Sequence, residues 1–159
     1  MNIVIIGGCG HVGLPLGMVL ASRGSTVTLL DVDPGKVESV NSGRMPFLER
    51  GGDELLTKVV GKSLIATLDP DCLRTADVAI TVVGTPVDEH LNPTVNKVYK
   101  AIDSPLQYMR DHSLLILRST VYPGVTKLLY DRIRRSGRNI HLAFCPERIA
   151  EGNSYDALG

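Results

Sequence analysis

An apolar run, Ile3, Val4, Ile5 and Ile6, ends in Gly7-Gly8-Cys9-Gly10-His11-Val12-Gly13, and this junction constrains the chain more than any other stretch. The run predicts a buried strand, and the glycines predict a sharp turn from it into a helix. Gly8, Gly10 and Gly13 carry the spacing G-x-G-x-x-G. The first glycine permits the turn, the second lets a pyrophosphate approach the backbone, and the third lets helix and strand pack closely. A helix that starts there points unpaired N–H groups and its positive dipole end at phosphates, so a diphosphate is its natural guest. Taken alone the motif is weak, because glycine-rich strand ends also serve as plain turns.

The next elements strengthen it. Leu14 to Arg23 predicts a helix with Leu16, Val19 and Leu20 on one face, Pro15 in its first turn and Gly24 as its stop. Thr26 to Leu30 predicts a second strand, and it ends at Asp31. A dinucleotide fold places there the carboxylate that accepts hydrogen bonds from the adenosine ribose. Such a carboxylate repels a 2′-phosphate and so favours NAD over NADP. The competing reading, that Asp31 merely opens the turn Asp33-Pro34-Gly35, does not explain the order of strand, glycines, helix, strand and acid.

The rest of the chain continues the alternation. Lys36 begins a predicted helix that stops near Gly43, and its place beside Asp31 suggests a role near the cofactor. Residues 44–52 read as a loop, and 53–60 as a short helix with Asp53 as its N-cap. Strands are predicted over 63–67, 76–83, 113–117 and 140–145. A helical turn over 70–74, an amphipathic helix over 96–109 interrupted at Pro105, and a helix over 125–135 with basic Arg132, Arg134 and Arg135 at its C-terminal end fall between them. Six strands alternating with helices predict an α/β protein, a Rossmann-type doubly wound parallel sheet in a single domain. In such a sheet ligands gather at the carboxyl ends of the strands. Those ends hold Gly8 to Gly13, Asp31, Gly84-Thr85-Pro86, Ser119-Thr120 and Pro146-Glu147.

Composition removes other classes. Lys plus Arg and Asp plus Glu are each 17, so the net charge is zero and nothing points to nucleic acid or an anionic membrane. No apolar stretch approaches the roughly 20 residues that span a bilayer. Met1 leads straight into a strand, without a basic region and cleavable apolar segment, and the three cysteines have no metal-ligand spacing. The expected location is a reducing cytoplasm, with no metal.

Together, Gly8 to Leu14, Asp31-Val32-Asp33 with Lys36, Gly84-Thr85-Pro86, Ser119-Thr120-Val121 and Cys145-Pro146-Glu147-Arg148 resemble the amino-terminal domain of the nucleotide-sugar 6-dehydrogenases. The resemblance runs from Asn2 to about Gly152. It implies an NAD-binding domain over residues 1–150, with 151–159 starting the connection to a central helix and a substrate domain. It implies oxidation of the C6 alcohol of a UDP-sugar to a carboxylate in two NAD-dependent steps, with a cysteine thiol holding the intermediate as a thiohemiacetal and then a thioester. Gly8, Gly10, Val12 and Gly13 would hold the pyrophosphate, Asp31 the ribose, and Lys36 would lie beside the cofactor. Thr85 and Thr120 would line the nicotinamide side, Thr120 would also order a catalytic water, and Glu147 would be the acid/base. A carboxylate suits that work because partial desolvation raises its pKa toward neutrality.

Pro146-Glu147-Arg148 is similar to the N-acetylamino-sugar branch, which points to a UDP-N-acetylhexosamine, and the resemblance implies a homodimer or higher for the full-length enzyme. The nucleophilic cysteine and catalytic lysine of the family would lie downstream. Cys145, at the end of an apolar strand beside Pro146, is expected to be a buried, inert thiol, and Cys72 is no better a nucleophile. His11, where the family commonly has Tyr, is expected at the surface and outside the chemistry. Two alternatives stay open: a hydroxyacid dehydrogenase domain of the 6-phosphogluconate type, and a non-catalytic NAD-sensing module.

Overall fold

The computed structural model describes residues 1–83, 105–119 and 123–146. Six strands form one sheet: β1 (Asn2–Ile6), β2 (Thr26–Leu30), β3 (Leu64–Thr67), β4 (Val78–Thr81), β5 (Leu114–Leu117) and β6 (His141–Phe144). Their order is β3-β2-β1-β4-β5-β6 and every pairing is parallel. The expected Rossmann-type fold is therefore present. The chain builds outward from β1 to β3, then returns to the other side of β1 to lay down β4. That reversal leaves a crevice between the carboxyl ends of β1 and β4, which is where doubly wound sheets bind ligands.

Alternation along β1 sets the two layers, because successive strand side chains point to opposite faces. Ile3 and Ile5 pack with Leu14, Met18, Leu29, Leu56 and Leu64, under α1 (Gly13–Ser22) and α3 (Gly52–Val59). Val4 and Ile6 pack with Leu73, Met109, Leu115, Leu117, Leu129 and Ile133, under α4 (Val125–Arg135) and the 3₁₀ turn Pro70–Thr75. Between β2 and α3 lies α2 (Pro34–Asn41). It starts on Asp33, whose Oδ1 accepts from the N–H groups of Gly35 at 2.9 Å and Lys36 at 3.1 Å.

The edges of the sheet differ. At β3 the Asn41 side chain donates to the carbonyl of Ala66 and accepts from its N–H, both at 2.8 Å, and so occupies the free edge as a strand would. At the other edge β6 is only partly covered, and Phe144 is exposed.

Three local expectations change. The buried face of α1 is Leu14, Gly17, Met18 and Ala21, with Leu16 also buried and Val19 and Leu20 only partly so. The helix presses so closely on the sheet that a Cβ on Gly17 would lie 2.7 Å from Leu29 Cδ2, so a glycine marks the contact line where leucines were expected. Asp53 is not the N-cap of α3. Gly51 is, with a φ of 73°, and Asp53 lies in the first turn, where its Oδ1 accepts from the N–H of Met45 at 3.2 Å. Cys145 is exposed rather than buried, because β6 is an edge strand and the residue falls just past its end.

Candidate cofactor site at the switch point of the sheet

The glycine junction sits at the crevice. Gly7 adopts a φ of +78°, a conformation that L side chains rarely adopt. Its N–H and that of Gly8 both donate to the carbonyl of Leu30, at 2.8 and 3.1 Å, which clips the loop to the end of β2. The three motif glycines answer to different neighbours. A Cβ on Gly8 would lie 2.7 Å from the Ile5 carbonyl oxygen and 2.8 Å from Leu29 Cα, and one on Gly13 would lie 2.7 Å from Gly8 Cα. Both are required by the chain's own packing. Among the described residues a Cβ on Gly10 would meet only the Gly7 carbonyl oxygen, at an ordinary 3.6 Å. Packing among the described residues does not require glycine there, so the backbone at this point is open for a ligand to approach.

The start of α1 suits an anionic ligand. Val12 is its N-cap residue and provides no side-chain hydrogen bond, and no acid occupies the first turn. Among the described residues no side chain caps this start, and the dipole adds positive potential at the same point; of the first-turn groups, the N–H of Leu14 donates to the Gly10 carbonyl at 3.0 Å and Pro15 has none.

Asp31 closes the other side. Its Oδ2 accepts from the N–H of Cys9 at 2.8 Å, and its Oδ1 accepts from the N–H groups of Val32 at 2.8 Å and Asp33 at 3.2 Å. The carboxylate is thus held by backbone from two segments while remaining partly open to solvent. Lys36 Nζ lies 4.0 Å from Asp33 Oδ2, and its charge acts on the glycine loop by pulling the Cys9 thiol pKa down. Burial and the negative charge of Asp31 outweigh it and push that thiol up to about 12. Gly8, Gly10, Val12, Gly13 and Asp31 are therefore brought together, with Lys36 in the first turn of α2, and they fit a dinucleotide: an uncapped helix start, one glycine open to a ligand and a fixed carboxylate.

Beyond the glycine loop, the ends of the next strands are tied to one another. The Ser119 hydroxyl donates to the Val83 carbonyl, which joins the ends of β4 and β5. The Arg118 guanidinium lies 3.8 Å from Cys145 Sγ, which joins β5 to β6. Thr85, Thr120 and Glu147 lie outside the described residues.

Sequence reasoning missed the Cys9 N–H on Asp31 and one side-chain contact at the site. The His11 ring, at the surface as expected, stacks on Phe47 with centroids 4.0 Å apart and planes at 28°. The available signal was that Phe47 is one of only two phenylalanines and stands in a loop.

Among the described residues no helix is long and apolar enough to cross a membrane. Comparison with known proteins agrees with the geometry. UDP-N-acetyl-D-mannosamine dehydrogenase of Methanococcus aeolicus is 33% identical over 158 residues, covering 96% of this chain and 35% of that protein. UDP-glucose 6-dehydrogenase of Rickettsia conorii is 30% identical over 158 residues, covering 98% of this chain and 36% of that protein. The structure of UDP-D-ManNAc dehydrogenase from Pyrococcus horikoshii superposes with a TM-score of 0.91 at 27% identity, over 99% of this chain and 39% of that one. The chain thus spans about a third of the length of the curated relatives it matches. These similarities do not favour a hydroxyacid dehydrogenase of the 6-phosphogluconate type or a bare sensing module. With residues 1–158 matching the model of its NAD binding domain, the chain belongs to the UDP-glucose/GDP-mannose dehydrogenase family.

Proposed function

We propose that this chain is the cofactor domain of an enzyme that oxidises the C6 alcohol of a UDP-sugar, a UDP-N-acetylhexosamine, to the carboxylate with two NAD per sugar. The observation that carries the reading is the joint between the glycine loop and Asp31 at the switch point, on a chain matched along its length by a UDP-N-acetyl-D-mannosamine dehydrogenase. Bound NAD supplies the hydride acceptor. Gly8, Gly10, Val12 and Gly13 hold its diphosphate through backbone N–H groups, Asp31 accepts from the adenosine ribose, and Lys36 adds a positive charge beside them. Thr85 and Thr120 line the nicotinamide end, Thr120 orders a water, and Glu147 takes a proton from that water.

Residues 1–150 form the cofactor domain, and 151–159 start a connection toward a central helix and a substrate domain. The nucleophilic cysteine and catalytic lysine belong to that later part. The whole enzyme is a dimer or larger and works in the cytoplasm.

Two measurements test this. Calorimetric titration of the protein is expected to show binding of NAD and weak or absent binding of NADP, and an NADP preference overturns the Asp31 assignment. The full-length enzyme is expected to release two NADH per UDP-N-acetylmannosamine, followed by absorbance. Faster turnover of UDP-glucose overturns the choice of sugar, and one NADH per sugar overturns the four-electron reaction.

A further inference from the structure

We propose that Phe47 is a positioning residue for the cofactor's diphosphate, acting through the ring of His11. The inference rests on the reading of the glycine loop as the diphosphate site. His11 follows Gly10, and its peptide N–H lies at the start of α1. Among the described residues nothing crowds the Cα of Gly10, and the peptide that follows it is tied only through its carbonyl, which accepts from the N–H of Leu14 at 3.0 Å. Val12 supplies no side-chain cap that would hold the turn. To that backbone bond the stack of the His11 ring on Phe47 adds a hold through a side chain.

Phe47 can do this because it is itself anchored. It packs with Met45 against the core beneath α1 and α3. Its segment is fixed on both sides, by the Met45 N–H on Asp53 at 3.2 Å and by the Gly52 N–H on the Glu49 carbonyl at 3.0 Å. The stack therefore carries the rigidity of the core to the peptides on either side of His11. Fixing a donor before its ligand arrives removes an ordering cost from binding. Aromatic stacking is also the kind of contact whose strength depends on ring geometry and not on apolar volume alone.

The test uses the protein with NADH, ADP and adenosine as probes, with each variant checked for its fold by circular dichroism and thermal melting. Phe47→Leu keeps apolar volume and removes the ring. It is expected to weaken NADH and ADP by a common factor of about 3 to 10, the size of one lost aromatic contact, and to leave adenosine unchanged. Phe47→Tyr is expected to restore binding. His11→Leu is expected to give the same loss, and the double variant no further loss.

Wild-type affinity for NADH in Phe47→Leu overturns the proposal. So does an equal loss for adenosine, which would show general damage to the domain, and so do losses that add in the double variant. Asp31→Ala separates this from the underlying reading. If that variant binds NADH as the wild type does, or the wild type binds no NADH, the cofactor site itself is wrong and the role of Phe47 falls with it.

Discussion

The backbone N–H of Cys9 donates to Oδ2 of Asp31 over 2.8 Å, and this bond joins the loop after the first strand to the tip of the second. It ties the glycine loop and the Asp31 carboxylate together across the two strand ends. Both carboxylate oxygens are engaged by backbone donors, Oδ2 by Cys9 and Oδ1 by Val32 and Asp33. A carboxylate has about four lone-pair sites, so these three bonds leave Oδ2 with room for a ribose hydroxyl.

The engagement on both oxygens predicts that Asp31→Asn fails structurally as well as functionally. A carboxamide has one oxygen, so turning it toward Cys9 sets its NH₂ against the N–H groups of Val32 and Asp33. The variant is expected to lose about 1 to 2 kcal/mol of stability, measured by urea unfolding. Asp31→Ala is expected to weaken NAD by about 1 to 3 kcal/mol in calorimetry. An Asp31→Asn protein as stable as the wild type would show that the backbone bonds do not constrain the carboxylate.

The glycine motif predicts a split between stability and binding. Gly8→Ala and Gly13→Ala each drive a methyl group to within 2.7 Å of other atoms, and in both cases the nearest is backbone. Each is expected to cost about 1 to 3 kcal/mol in thermal or urea unfolding. Gly10→Ala meets nothing closer than 3.6 Å among the described residues, so its stability is expected to stay within about 0.5 kcal/mol of wild type. Its NAD affinity is expected to fall about tenfold or more, because the methyl group occupies the approach of the diphosphate. A destabilised Gly10→Ala, or one with unchanged NAD affinity, contradicts this division of roles.

The sheet was legible because its signals are local. Each strand is a short apolar run, and Gly24 and Gly43, both at positive φ, close the helices where the sequence placed their stops. What was not legible depends on packing from outside the element. Periodicity in α1 pointed to Leu16, Val19 and Leu20, yet the helix meets the sheet along Gly17, a contact that only the proximity of Leu29 and Ile5 reveals. Cys145 reads as buried from its apolar strand and is exposed because no strand among the described residues pairs with β6 on its outer side. At the site, Asp31 was found from its position after the second strand, and its bond to Cys9 was not, since a backbone donor leaves no mark in the residue type. The stack of His11 on Phe47 joins two loops and has no fixed spacing.

The three thiols are expected to react in order of exposure. Cys145 is exposed, Cys72 is half-buried with its pKa pushed up to about 11, and Cys9 is fully buried with its thiol near 12. Burial is the first cause of both shifts, and nearby carboxylates add to it, Asp69 at Cys72 and Asp31 at Cys9. Ellman's reagent at about pH 8 is expected to find one fast thiol, absent in Cys145→Ser, then a slow one, with Cys9 reacting only when the protein opens. Saturating NADH is expected to slow that last phase further by closing the glycine loop. A fast phase that survives Cys145→Ser contradicts the assignment.

Acid is expected to loosen the amino end of the sheet, opposite the cofactor site. Asp77 Oδ2 accepts from the N–H of Asn2 at 2.7 Å, and its other oxygen pairs with Arg110. Asp111 Oδ1 accepts from the N–H of Asn139 at 3.0 Å and from Arg138 Nε at 3.2 Å. These backbone bonds first, and the arginines after them, hold both carboxyls below the ordinary value of 3.8. A carboxyl whose folded pKa lies below its unfolded one binds protons more readily in the unfolded chain. The stability it provides is complete above the unfolded pKa and is lost as pH falls through the folded one. The urea midpoint is therefore expected to be insensitive to these two groups down to about pH 5 and to fall below about pH 4. Asp77→Asn is expected to start lower at neutral pH and to fall less steeply. NADH affinity is expected to stay unchanged, because Asn2 and Asp77 stand at the strand starts, away from the cofactor edge. An equally steep fall in Asp77→Asn would mean that acid unfolding is governed by other carboxylates.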